Sequence, residues 1–190
     1  MPLPVAEIAK IVASDAYRAD YTVINEVFEI LTETPGFVGI WHGLTVQEPQ
    51  YLYVVILWET VEHHRALMED QVVYPAFNEK MRKVSNGRVW KYHVHFNNDT
   101  DKALSAPVTE FALTTAEDST EVAGHLETAD ISFPLLYKTL PDEIFESGWG
   151  PTVESDRKFM ICLGWHSLEL TAQMFQLPEV DAMHAKLTKC

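Results

Sequence analysis

Apolar and polar positions divide the first half of the chain into alternating strand and helix segments. Residues 5–12 are short, apolar and partly alternating, which predicts a strand. From there the apolar positions become Tyr17, Tyr21, Ile24, Phe28 and Leu31, a spacing of three and four that marks one helix face. Thr34-Pro35-Gly36 ends that helix. Residues 37–46 and 51–58 predict two strands about the turn Gln47-Glu48-Pro49-Gln50, the second apolar enough for burial on both faces. Thr60 caps a further helix carrying Leu67, Met68, Val72 and Val73, interrupted near Pro75, resumed through Phe77 and Met81, and ended at Asn86-Gly87. Residues 89–96 close the series as an aromatic-rich strand. The order strand, helix, strand, strand, helix, strand is the split βαβ pattern of a ferredoxin-like unit.

The second half repeats the first. Pro4-Val5-Ala6-Glu7 recurs as Pro107-Val108-Thr109-Glu110, Trp41 as Trp149, and Trp58 as Trp165, at offsets of 103, 108 and 107 residues. Three landmarks in one order at nearly one offset predict an α+β chain of two tandem βαββαβ units. The expected boundaries are 1–97 for the first unit, 98–106 for a polar linker and 107–190 for the second unit. In the second unit the spacing predicts a strand over 107–115, a helix opened by Asp118 with Glu121 three residues on, strands near 149–154 and 158–165, and a helix from Ser167. Only Leu187 to Cys190 remain for an eighth strand, which is expected to be missing or a stub. Residues 134–148, with Pro134, Pro141 and Gly148, read as a loop or broken helix able to cover a site.

Composition narrows the functional classes. With 14 basic and 28 acidic residues the formal charge is −14, which disfavours nucleic acid and anionic membrane surfaces as partners. A 47% hydrophobic and 11% aromatic content describes a folded chain with a sizeable core. Cys162 and Cys190 offer neither a disulfide framework nor zinc-ligand spacing, and no apolar run approaches the ~20 residues of a membrane span. A cytoplasmic protein with no metal is expected. Phosphate-cradling loops, nucleophile elbows and metalloprotease helices are absent, so neither flavin, nicotinamide nor nucleophilic hydrolysis is indicated.

Residues 4–96 resemble the antibiotic-biosynthesis-monooxygenase type of the dimeric α+β barrel superfamily, and residues 107–187 do so more loosely. The likeness runs through Val5 to Val12, Glu33-Thr34-Pro35-Gly36-Phe37, Tyr51 to Thr60, Ala66-Leu67-Met68, Pro75-Ala76-Phe77 and Val89 to Phe96. The resemblance implies that both units of one chain form an intrachain barrel with a pocket. It also implies oxygenation of an apolar, aromatic or polyketide-like intermediate of secondary metabolism without a cofactor. Alternatives on the same fold are a cyclase, dehydratase or pericyclase, and a non-catalytic small-molecule-binding stress protein. Many relatives carry a Glu two residues before the tryptophan of the third strand, where this chain has Ile56 and, in the second unit, Leu163. The Asn, Trp and His set of the haem-degrading branch finds no ordered match, and His64 is a positional candidate alone.

Four residues are the candidate acids and bases. His93 and His95 share a strand face with Lys91, expected to face the barrel lumen while Trp90, Tyr92, Val94 and Phe96 pack on helices. His42 follows Trp41 at a strand, and Glu7 stands inside an apolar strand where burial would tune a carboxyl group. Trp41, Tyr53, Trp58, Lys91, Glu110, Trp165 and His166 are candidate substrate contacts, the indoles suiting a flat apolar ligand. The bland alternative is structural packing for the tryptophans and a solvated rim for the histidines. Of the neighbours His63 and His64, ~100° apart on a helix, at most one faces a pocket, and His63 is the one expected at the surface. A homodimer is expected if the short second unit leaves a sheet edge open.

Overall fold

A computed structural model describes residues 2–140 and 144–174. The chain divides between His93 and Val94 into two units, each taken by itself below.

In the first unit a four-stranded sheet has the order β2-β3-β1-β4, with β1 at Val5–Ala13, β2 at Phe37–Leu44, β3 at Tyr51–Trp58 and β4 at Ser85–Val94. The apolar strand β3 lies inside the sheet, antiparallel to both β1 and β2, as its burial on both faces requires. Glu7 pairs with Ile56, Ala9 with Val54 and Ile11 with Leu52, so these side chains share a face. That face is covered by helices. Ile11, Leu52, Val54, Ile56 and Trp58 form a buried cluster there with Tyr17, Val27, Leu31 and Leu67.

The helices of this unit begin and end through identifiable side chains. Ser14 accepts from the Tyr17 amide at 3.0 Å and starts α1, Asp15–Ala19. The continuous helix expected from Tyr17 is instead α1, a 3-10 turn at Tyr21–Ile24, and α2, Asn25–Thr32. Accordingly Tyr17, Ile24 and Leu31 are buried while Tyr21 and Phe28 are exposed. Gly36 ends the segment at φ 78°, and a Cβ there would lie 2.1 Å from the His63 ring. Thr60 caps α3, Val61–Glu69, as expected. The following break comes before Pro75, because Asp70 accepts from the Val72 and Val73 amides at 2.8 and 2.7 Å and opens α4, Val73–Val84. Pro75 then sits in the first turn, where its missing N–H costs nothing. Asn86-Gly87 lie within β4 rather than at a helix end.

In the second unit the sheet order is β5-β7-β6, with β5 at Val108–Thr115, β6 at Ile144–Pro151 and β7 at Lys158–Trp165. Val108 pairs with Trp165 as Val5 pairs with Trp58, and Glu110 pairs with Leu163 as Glu7 pairs with Ile56. The long helix α6, Ser119–Thr139, is capped by Asp118, which accepts from the Thr120 and Glu121 amides. Ala129, Phe133 and Leu136 of α6 cover Ile161, Leu163 and Trp165. The segment expected to be a loop over 134–148 is different: α6 runs through Pro134, and β6 starts at Ile144. Close approach explains its glycines, since a Cβ on Gly150 would meet the His95 carbonyl oxygen at 1.9 Å. The expected linker holds a short helix, α5, Asp101–Leu104, with Ala103 and Leu104 buried. A last helix, α7, spans Leu168–Met174. The expected eighth-strand stub at 187–190 lies outside the described residues. No helix among the described residues is long and apolar enough to cross a membrane.

Candidate functional site

Strand β1 brings Glu7 onto the helix-covered face of the first unit, beside the last residue of β3. Its Oε2 accepts a hydrogen bond from Trp58 Nε1 at 3.0 Å. Helix α3 adds His64, which is buried at the same turn spacing as Val61 and Leu67 and stacks on the Trp58 ring at 5.3 Å and 15°. His64 Nε2 is 3.4 Å from Glu7 Oε2, and His64 Nδ1 is 2.7 Å from His93 Nε2 on β4. From the same strand, Lys91 Nζ stands 3.3 Å from Glu7 Oε1. Glu7, His64 and His93 are 8%, 4% and 5% exposed, so this polar network is enclosed in a core that would reject any of its members unpaired.

A cavity of about 290 Å³ opens beside the network, bounded by β1, β3, β4, α3 and α4 of the first unit. Glu7, His64 and Lys91 reach its wall, while His93 stands behind His64. Ala9, Ile11, Val54 and Ile56 form the apolar floor, and Tyr74, Phe77 and Met81 of α4 the roof. The Tyr74 and Phe77 rings lie nearly parallel, 6.2 Å apart at 11°.

The placement of β4 corrects the expected orientation of its two faces. Lys91 and His93 point to the helix-covered side, where Glu7 and His64 are. Trp90 meets Tyr53 at 5.6 Å and Tyr92 at 5.7 Å, away from the network. A one-residue change of phase inverts every side chain in a strand, and alternation by itself does not say which face meets the helices. The strand also ends at Val94, one residue before His95, which is exposed.

His42 is elsewhere on the sheet, opposite Val54, with its Nδ1 2.6 Å from the Tyr17 hydroxyl. Burial pushes the Tyr17 phenol up to about 12. His42 is exposed as a residue, yet the ring edge that Tyr17 covers is desolvated, which holds the imidazole below its ordinary pKa. Trp41 is half-buried and packs beside Gly39, where a Cβ would lie 2.8 Å from the indole.

In the second unit Glu110 repeats the Glu7 contact, accepting from Trp165 Nε1 at 3.0 Å. Thr171 occupies the place of His64 at the offset of the tryptophans. Trp149 is buried, stacks on Phe133 at 4.7 Å and donates to Asp130 at 2.8 Å. It pairs with Ile161 and so faces the helix, whereas Trp41 pairs with Val55 and faces the other way. The extra residue in their offset thus separates two tryptophans that look equivalent in sequence. His166 is exposed and stacks on Phe145 at 4.2 Å. Tyr137 accepts from the Ser147 amide at 3.1 Å.

Glu7, His64 and His93 are also the described residues with the ligand types and proximity for a metal, their ligand atoms lying within 4.8 Å of one another. Against that use, Lys91 and the Trp58 N–H already hold the two Glu7 oxygens, and the two imidazoles meet each other directly.

No family model matches the chain, and no curated protein matches it. Solved structures do. An anthrone oxidase-like protein superposes with a TM-score of 0.67 at 10% identity, over 97% of this chain and 84% of that one. A candidate monooxygenase from Fusobacterium nucleatum gives 0.63 at 11% identity, over 99% and 87%. A candidate chlorite dismutase gives 0.56 at 9% identity, over 99% and 87%. At such identities the likeness is one of fold, and a fold does not choose a chemistry. The chain shares the α+β fold of these structures.

Proposed function

We propose that this chain is a monooxygenase-type enzyme that oxidises a small aromatic, polyketide-like intermediate of secondary metabolism, with the cavity of the first unit as its active site. The observation that carries the reading is the Glu7–His64–His93 network, which reaches through Glu7 and His64 the wall of a cavity with an apolar floor and an aromatic roof. His64 is the base. In the tautomer this role requires, its Nδ1–H donates to His93 Nε2 and Nε2 is left to take a proton. The 3.4 Å between that nitrogen and Glu7 is longer than a hydrogen bond, and it closes once the imidazole is charged. Glu7 thus stabilises the imidazolium, and Lys91 and Trp58 hold the Glu7 carboxylate in place.

No organic cofactor or metal enters this route. An acidic methylene flanked by electron-rich rings loses a proton to His64, and the resulting carbanion passes one electron to O₂. The radical pair couples to a peroxide, which takes the proton back. His64 then removes the second C–H proton as the O–O bond breaks, and the released hydroxide leaves as water. The balance is CH₂ + O₂ → C=O + H₂O, with all electrons supplied by the substrate. Glu7 occupies the place opposite Ile56, so a carboxylate reaches, from the neighbouring strand, the face where relatives of this type carry one on β3.

Dihydroxyanthrone is a suitable probe. Oxygen consumption above the buffer rate, with anthraquinone formed in air and none under argon, is the expected result. Turnover of the probe that is equal in air and argon contradicts oxygenation.

A further inference from the structure

We infer that the natural substrate is a planar aromatic acid, its rings held under α4 and its carboxylate held at the cavity mouth by Arg82 and Arg88. The inference rests on the reading of this cavity as the substrate site. It concerns the charge of the substrate, which that reading leaves open.

The cavity runs against the electrostatics of the chain around it. The protein carries a net charge of −14, yet the charged groups lining this cavity are Arg82, Arg88, Lys91 and Glu7. Lys91 and Glu7 face each other at 3.3 Å and cancel. What remains is two guanidinium groups, one from the last turns of α4 and one from β4. Both residues are exposed, and neither forms a salt bridge among the described residues. Other surface cations of this unit do: Lys80 and Lys83 both hold Glu26, Lys10 holds Glu48, and Arg65 meets Glu62. In a strongly acidic protein, two exposed arginines that line one cavity and form no salt bridge among the described residues are available to an anion from outside the chain.

Shape defines the rest of the ligand. Tyr74, Phe77 and Met81 present an apolar surface on the helix that carries Arg82, and the nearly parallel Tyr74 and Phe77 rings suit a planar ring system. Arginine matches a carboxylate through a planar fork of donors, which a lysine does not offer. A ligand with rings inside and a carboxylate at the mouth places its reactive carbon toward His64 and satisfies both arginines.

The test uses the full chain with 2-naphthoate and its neutral counterpart, 2-naphthamide, as calorimetric ligands and as competitors of dihydroxyanthrone oxidation. Naphthoate is expected to bind about tenfold more tightly than naphthamide, in line with one charge-assisted hydrogen-bonded contact. The preference is expected to vanish in the Arg82→Gln, Arg88→Gln double variant and to fall without vanishing in the matching lysine variant, which keeps the charge and loses the planar fork. Equal binding of the two ligands, no binding of either, or a preference that survives the glutamine variant overturns the inference. The two proposals fail separately: equal inhibition of anthrone oxidation by both ligands removes the acid and leaves the oxygenase. A naphthoate preference without oxygen uptake removes the oxygenase and leaves the acid site.

Discussion

Glu7 and Trp58, which lie on adjacent strands, are joined by a 3.0 Å hydrogen bond from the indole N–H to a carboxylate oxygen, and Trp58 is fully buried. Removing the carboxylate leaves that N–H and the Lys91 ammonium without their partner inside the core. Glu7→Leu is therefore expected to lower the unfolding free energy by about 3 kcal/mol, the usual scale for breaking a buried ion pair. Glu7→Gln, which still accepts from the indole, is expected to cost less. Glu110→Leu, at the half-buried counterpart on Trp165, is expected to cost about 1 kcal/mol. Urea titrations of the three variants check the order.

The contact between Tyr17 and His42 makes stability depend on pH at both ends of the range. Burial lowers the His42 pKa, so below about 6.5 the unfolded chain takes up a proton that the folded chain resists, and stability falls as the pH drops. Tyr17 behaves in the opposite sense. Its pKa rises from 10.0 to about 12, so the unfolded chain ionises first and stability falls as the pH climbs between those values. Thermal unfolding at pH 5, 7, 9 and 11 is expected to show a maximum in the middle. His42→Phe is expected to reduce the acid-side loss and Tyr17→Phe the alkaline one.

A fixed ammonium beside the triad opposes a divalent cation. Lys91 Nζ stands 3.3 Å from Glu7 Oε1, close to where a metal bound to that carboxylate would sit. Dialysis against a chelator is expected to leave the melting temperature and the oxygen uptake unchanged, and added zinc or ferrous iron to raise neither. A cation that shifts the melting point in the native chain but not in His64→Asn would show that the triad is a metal centre.

Much of this fold is legible in the sequence. Five of the seven described strands, β1, β2, β3, β5 and β7, fall close to the predicted segments, because short alternating or wholly apolar runs bounded by turn residues leave the backbone few other ways to hide its polar groups, whereas β4 begins at Ser85, before its predicted start, and β6 begins at Ile144, inside the segment expected to be a loop. Glu7 is legible for the same reason, as a charge inside an apolar strand. His64 was legible only in part. Its spacing from Val61 and Leu67 places it on the buried helix face, but the partners that hold it, Glu7 and His93, are 57 and 29 residues away in the chain. The facing of β4 was not legible, since Trp90, Tyr92 and Val94 on one side and Lys91 and His93 on the other form an alternating pattern that fits either way round. Nor was the break at Asp70, where a side chain capping two amides outweighs the more conspicuous Pro75.

The central claim is that the reacting proton is handled by His64 in the helix-covered cavity, rather than by His42 or His95 elsewhere on the first unit's sheet and beyond its last strand. The most direct measurement is kcat/KM for dihydroxyanthrone oxidation in His64→Asn, His42→Asn and His95→Asn, each checked for native-like folding. His64→Asn is expected to lose about a hundredfold or more, the range of a general base, while the other two stay within about twofold of the native chain. A His64→Asn enzyme with native kcat/KM, or a loss of that size at His42 or His95, would contradict the account.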